Sequence, residues 1–519
     1  MLYCATGHYG KAEPLSKEAL EITQNNLGRY HPATAKNMRN LAGIYRAMGQ
    51  YRTAEPLLVE ALKITQEQLG EYHLETAESL SNLAALCIEI DRFEEAEPLL
   101  LKALEISKIE LGEHHSVTTR HLGQLAGLYH ALERFEEAEP LLLEALEISK
   151  IEFGEHHITT AHNLHKLATL YYSTGCYQKA EELALAALEI SKIELGKHHP
   201  VTATSLNMLA EIYTSMGDYE KAESLLLESQ EIKRSVLGNN HPSLAASLNN
   251  LASVYIAVGQ YEAAENLLSE SLEITKVALG DCHSDTATQS ANLAMLYVST
   301  GRYEEAEPLY LEALKIRKST LGMRHSDTVT SMNNLAELYR LTAFYEKAEI
   351  LYVEALDSSK SQLGEGHPST AVSLNNLAML HVEQGKLEKA EPLYIQAIEV
   401  WKSALGNNHP STSTGINNLA ALYDAMEQYE KADFLYREAL ELRRTALGVY
   451  HPDTASSFFN LAALYHKTQR HQEALVLIRQ AIEIYTQVLG LNHPTTQSAA
   501  SWLESIHLAI TEQLKSKYD

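Results

Sequence analysis

A glycine recurs every 42 residues in this chain, and that spacing limits what it can fold into. Gly28, Gly70, Gly112, Gly154, Gly196, Gly238, Gly280, Gly322, Gly364, Gly406, Gly448 and Gly490 hold it through eleven intervals without insertion or deletion. A histidine stands three residues after each, from His31 to His493, and an alanine recurs in the same phase from Ala54 to Ala474, anticipated by Ala12. A unit of this length cannot bury an apolar face alone, so the chain is expected to be a stacked array with one continuous core.

The unit that begins at Gly364 shows the local logic. His367-Pro368-Ser369-Thr370 is a helix start, with Pro suited to the first turn and small polar groups able to satisfy free N–H groups. Leu374, Leu377, Ala378 and His381 then recur at three- and four-residue steps, which predicts helix A over 368–384. Gly385 breaks it, Leu387 to Ile398 open helix B over 386–402, and Leu405-Gly406 closes that helix. Pro392 falls early in helix B, where its cost is expected to be small. The recurring alanine marks a close helix crossing, and tyrosines such as Tyr219, Tyr261 and Tyr303 fill the space beside it as core.

The same phase divides the chain into 1–28, a truncated repeat that is mostly one B helix near 9–26, 29–490, eleven full repeats, and 491–519, a capping helix. Met1 to Thr6 is expected to be a stub. Pro494 to Lys515 should form the cap, with Trp502, Ile506 and Ile510 against the last repeat.

Composition narrows function by exclusion. The formal charge is −26, which repels phosphate backbones and anionic lipid, so neither nucleic acid nor membrane is an expected partner. No apolar run approaches membrane-spanning length. Cys4, Cys87, Cys176 and Cys282 form no CxxC pair, which fits a reducing, cytoplasmic setting. No HExxH, Walker A or GxSxG motif occurs, and the pairs His114-His115, His156-His157 and His198-His199 are not a ligand set, so no enzyme, metal or cofactor is expected. Glutamates such as Glu94, Glu95, Glu97, Glu136, Glu137 and Glu139 read as solvated helix starts on the convex side.

The pattern LG..HP.TA...NNLA.LY...G.YEKAEPLY..AL, nearly complete over 363–398 with His381 and Leu387 where it has Tyr, resembles the kinesin light chain type of tetratricopeptide repeat. The resemblance covers essentially the whole chain. It implies an all-α, right-handed superhelical solenoid of helix-turn-helix repeats, whose A helices line a concave groove for extended or helical peptides. Kinesin light chains also carry a heptad coiled coil, which this sequence lacks. Arrays of this kind in signalling proteins are joined to nucleotide-switch or protease domains, and a regulatory fragment whose effector lies upstream is the second reading.

On that resemblance the groove is lined 8, 11, 12, 15, 18 and 19 residues after each glycine. Asparagines recur there at Asn40, Asn249, Asn250, Asn292, Asn333, Asn334, Asn375, Asn376, Asn417 and Asn418. Carboxamides both donate and accept, so such a ladder can hold a peptide backbone whatever its sequence, or can simply bond neighbouring helices. Lys36, Arg39, Arg46, Arg120, His162, His165 and Lys166 occupy groove phases of the first half, opposed by Glu78, Glu89 and Glu211. The expectation is a protein-binding scaffold whose first half docks an acidic peptide while the amide ladder holds its backbone.

Overall fold

The structure, a computed structural model, describes residues 9–518, with side chains as far as Lys515; the expected stub at 1–6 lies outside the described residues. It contains twenty-four helices and no strand among those residues. They alternate between 16-residue A helices such as Pro368–Glu383 and 18- or 19-residue B helices such as Leu387–Ala404. The described residues open on B helix Tyr9–Leu27 and close on the long helix Pro494–Tyr518.

Each interval is built by three interlocking residues. Gly364 adopts φ +94°, a conformation that costs an L-residue about 1–2 kcal/mol. Its carbonyl accepts the Thr370 hydroxyl at 2.8 Å, which folds the chain back on itself. His367 then caps helix A, its Nδ1 accepting the Ser369 N–H at 3.1 Å. All twelve repeat histidines do the same, from His31 to His493. Such a cap contributes roughly 1 kcal/mol per helix.

Alanines in the recurring phase are fully buried at the A–B crossing. Pro392 lies six residues into its helix and denies the Glu388 carbonyl its helical N–H, so it breaks one bond rather than none. Tyrosines near the end of helix A donate to a carboxylate of the preceding B helix: Tyr171 to Glu139 at 2.6 Å, Tyr129 to Glu97 at 3.0 Å, Tyr339 to Glu307 at 2.8 Å. Glu97 and Glu139 are therefore inter-repeat acceptors, not the purely solvated acids the sequence suggested. Arg134 reinforces the joint, stacking on Tyr129 and bridging Glu97 and Glu137.

A helices of neighbouring repeats touch one another, whereas successive B helices meet only sparsely. The array therefore curves toward its A helices. The curvature is tight enough that the first six A helices lie under the last six. The Nε2 atom of His325 reaches the Glu89 carbonyl at 3.1 Å, six repeats earlier. His409 reaches Ser173 O at 3.2 Å and His451 reaches Ser215 O at 3.1 Å, across the same 236 residues. Asp91 accepts the Ser326 N–H at 2.7 Å, and Gln362 donates to its carbonyl. At Gly175 the turns press close enough to favour glycine: at φ +72°, an added Cβ would sit 3.0 Å from Pro410.

One rung of this seam is imperfect. Glu133 takes the place of Asp91 but faces Pro368, which has no N–H, and Ala404 stands where Gln362 does. The Glu133 Oε2 and His367 Nε2 atoms are buried without partners beside a cavity of about 520 Å³. Burial raises the Glu133 carboxyl to about 7.

The far end is finished by polarity. Gln497, Glu504 and His507 occupy the phases of Ala35, Ala42 and Tyr45 and leave the outer face of the last helix exposed, while Ile506 is buried and Trp502 packs edge-on against Phe459.

Two predictions follow from the seam. Gly175→Leu and Gly385→Leu share the positive-φ penalty, but a Cβ on Gly385 meets nothing within 4 Å. Only Gly175→Leu should raise the radius of gyration in small-angle scattering, with helical content kept in both.

The second concerns pH. Burial lowers the pKa of His283, His367, His409 and His451. A folded pKa below the unfolded value of ~6.5 means stability that is full above that pH and lost as pH falls. Protonation also puts a hydrogen on Nδ1, which destroys the cap. The raised Glu133 has the opposite sign, its penalty being greatest above about 7. The thermal midpoint should therefore drop between pH 7 and pH 5, less so in His409→Asn/His451→Asn. Glu133→Gln should raise it more at pH 8 than at pH 5.

Candidate functional site

The concave wall is made where consecutive A helices turn the same face inward. Helices Ile158–Ser173, Pro200–Ser215, Pro242–Ala257 and Ser284–Ser299 together line a recess of about 600 Å³ in that wall. Its lining includes His165, Asn207, Glu211, Asn249, Asn250 and Asn292 from helix A, with Lys233 arriving from the B helix Tyr219–Leu237. The phases expected to line the groove do converge in this recess.

The cations of the first half are largely spoken for. Arg39 is 8% exposed and donates to Glu75 and to Ser79 Oγ at 2.9 Å. Arg46 makes two hydrogen bonds to Glu89, at 3.0 and 2.7 Å, and Arg120 pairs with Glu78. These three tie one A helix to the next, so the expected cationic half of the groove is mostly neutralised from within. Lys36 and Asn40 are exposed, and Lys36 has no carboxylate within 4.0 Å among the described residues.

His162, His165 and Lys166 form a different group. They lie on one helix, and none has a carboxylate within 4.0 Å among the described residues. The Lys166 ammonium occupies the notch left by Gly123, where a Cβ would stand only 2.5 Å from it. All three titrate low: His162 is pushed to about 4 by desolvation and then by Lys166 and His165, and burial lowers His165 and Lys166.

The asparagines divide between bonds to neighbouring helices and carboxamide oxygens left without a partner. Asn418 donates to Asn375 Oδ1 at 3.0 Å, Asn333 to Ser373 Oγ at 3.3 Å, and Asn250 to Glu211 at 2.5 Å. Asn417 accepts from Asn460 at 2.9 Å, and Asn249 donates to Gln289. Much of the ladder thus bonds neighbouring A helices. The Asn249 and Asn333 Oδ1 atoms, however, are buried without a partner, and Asn292, Asn334 and Asn376 are half-buried on the wall.

The sequence reading missed Lys233, Arg317 and Arg443. Each stands 37 residues after a repeat glycine, where most repeats carry Ser or Thr, so the exception was visible in a self-comparison. All three are nearly buried and none has a carboxylate within 4.0 Å among the described residues. Lys233 Nζ donates to Ser247 Oγ at 2.5 Å and Ser243 O at 3.0 Å. Burial brings it down to about 8, against the pull of Glu211. Arg317 donates to Ser331 and Thr288, leaving its Nε unpartnered, and Arg443 donates to Ser457. A larger hollow, about 1020 Å³, lies on the outer wall near Ile350 and Val353; its polar lining is mainly acids of one helix, with no convergence of donors and acceptors.

The tetratricopeptide repeat pattern matches residues 1–67, 37–109, 117–192, 163–235, 201–276, 284–361, 327–397, 369–445 and 435–487. The chain belongs to the tetratricopeptide repeat family, an all-helical class of paired helix-turn-helix repeats that generally serve as protein-interaction modules. No curated protein matches it. Among solved structures it is similar to the nearly identical repeats of a protein from Podosopora anserina provisionally named a kinesin light chain, with 29% identity over 40% of this chain and 97% of that one, at a TM-score of 0.35. It is also similar to BtubC (BKLC) from P. vanneervenii, with 26% identity over 46% and 93% of the two chains and a TM-score of 0.35. A Rap protein complexed with competence and sporulation factor shares 16% identity over 72% and 99%, at a TM-score of 0.49. No helix among the described residues is long and apolar enough to cross a membrane.

The division of labour among the cations predicts a contrast. Arg39→Ala removes a buried guanidinium that joins two A helices and should cost about 2 kcal/mol in chemical denaturation. Lys36→Ala should stay within about 0.5 kcal/mol of the parent.

Proposed function

We propose that this protein is an interaction scaffold whose inner wall binds an extended peptide segment of a partner, with acidic side chains favoured between helices Ile158–Ser173 and Ser284–Ser299. The observation that carries this reading is the set of open valences in the recess of about 600 Å³: the Asn249 Oδ1 atom lacks a donor, while Lys233 and His165 have no carboxylate within 4.0 Å among the described residues. Unsatisfied polar groups cost free energy, and they persist most readily where a ligand completes them. A peptide N–H is the natural donor to Asn249 Oδ1, and a side-chain carboxylate the natural partner for the cations. Lys36, His162 and Lys166 extend the same preference along the wall.

A carboxylate would also recharge the depressed bases, so binding should take up protons and tighten as pH falls from 8 to 6.5. Partners captured by the intact chain should be compared by mass spectrometry with those of a His165→Glu/Lys166→Glu variant, since neither residue makes an ion pair in the fold. Loss of captured partners supports the wall as the site. An unchanged set with folding intact rejects it.

A further inference from the structure

Resting on that reading, we infer that the partner segment enters the inner wall end-on, so that this scaffold selects free chain termini and refuses loops held at both ends. Every A helix that lines the recess is fastened to the other turn at one of its ends. Ser173 and Ser215 accept from His409 and His451 at 3.2 and 3.1 Å. A Cβ added to Gly259 would lie 3.1 Å from His493, and one added to Gly49 would lie 3.2 Å from His283, so both rungs are in van der Waals contact.

Between these rungs His325 reaches Glu89 O at 3.1 Å, and Ser326 N–H meets Asp91 at 2.7 Å. The seam therefore runs through successive repeats for the whole overlap of the two turns. The gap through which a loop would slip sideways is occupied by the protein's own hydrogen bonds. Even at Glu133, where donors are missing, the two turns still enclose a cavity rather than part.

A segment anchored at both ends by folded domains could pass sideways to Asn249 and Lys233 only after several rungs had broken together. A disordered tail needs no such opening and can slide in along the axis, ordering as it binds. Steps that require prior opening of a protein slow association and weaken apparent affinity by the fraction of molecules that are open.

The test displays one random-peptide library in two formats against the intact chain: with a free terminus, and with the same segments fused between two folded domains. Peptides enriched from the free format should lose more than about tenfold in affinity when both ends are closed. Opening the seam with Gly175→Leu should restore the closed format. Equal affinity in both formats on the parent protein overturns end-on entry while leaving peptide binding intact, and this comparison needs no variant to fold. Enrichment in neither format overturns the peptide-binding reading itself, and the inference falls with it.

Discussion

The architecture depends on the two nitrogens of one imidazole. Nδ1 of the repeat histidine must be an unprotonated acceptor to cap its helix, which obliges Nε2 to carry the hydrogen. At three rungs of the seam that hydrogen meets a backbone carbonyl six repeats earlier: His325 meets Glu89, His409 meets Ser173 and His451 meets Ser215. The cap and the seam thus use a single tautomer, and the residue that begins every inner helix also fixes the distance between turns. The accompanying burial explains why His283, His325 and His367 are 8% exposed while His31 and His73, identical in local sequence role, stand in solvent.

This distinction marks the limit of what the sequence makes legible. Helix positions could be read within a few residues because they follow from spacing over three or four residues and from local start and stop signals: Pro368–Glu383 against an expected 368–384, Leu387–Ala404 against 386–402. The seam follows from the rotation between repeats summed six times, and no single repeat contains it. Even so, a trace survives. At one phase the first turn carries Gly49, Gly175, Gly217 and Gly259 with Asp91 and Glu133, while the second carries Gly301 and Gly385 with Ala343, Glu427 and Gln469, so glycine is more frequent in the seam without being confined to it. The difference becomes meaningful only when His409, Pro452 and His493 are seen against those glycines.

The site was legible to a similar depth. A helical period identifies which residues share a face, and the recess is lined by the expected phases. It says nothing about pairing between repeats, because residues 36 to 43 apart, such as Arg39 and Glu75 or Asn375 and Asn418, meet only after stacking. Lys233 escaped for the opposite reason: it belongs to a B helix and reaches the inner wall past a layer that the period assigns elsewhere.

A wall held by its own seam changes what binding has to accomplish. In an open superhelix the curvature of the groove must be fixed when the ligand arrives, and that ordering subtracts from affinity. Here the overlap of two turns fixes it during folding, through contacts that do not involve the ligand at all. Most groove asparagines can then serve as joints between A helices without weakening recognition. The few valences left over, at Asn249, Asn333 and Lys233, belong to side chains that are each tied to a neighbour, Gln289, Ser373 and Ser247. On the proposed function, recognition by a small number of such groups would favour a ligand whose backbone can adapt to them, as a flexible extended segment can.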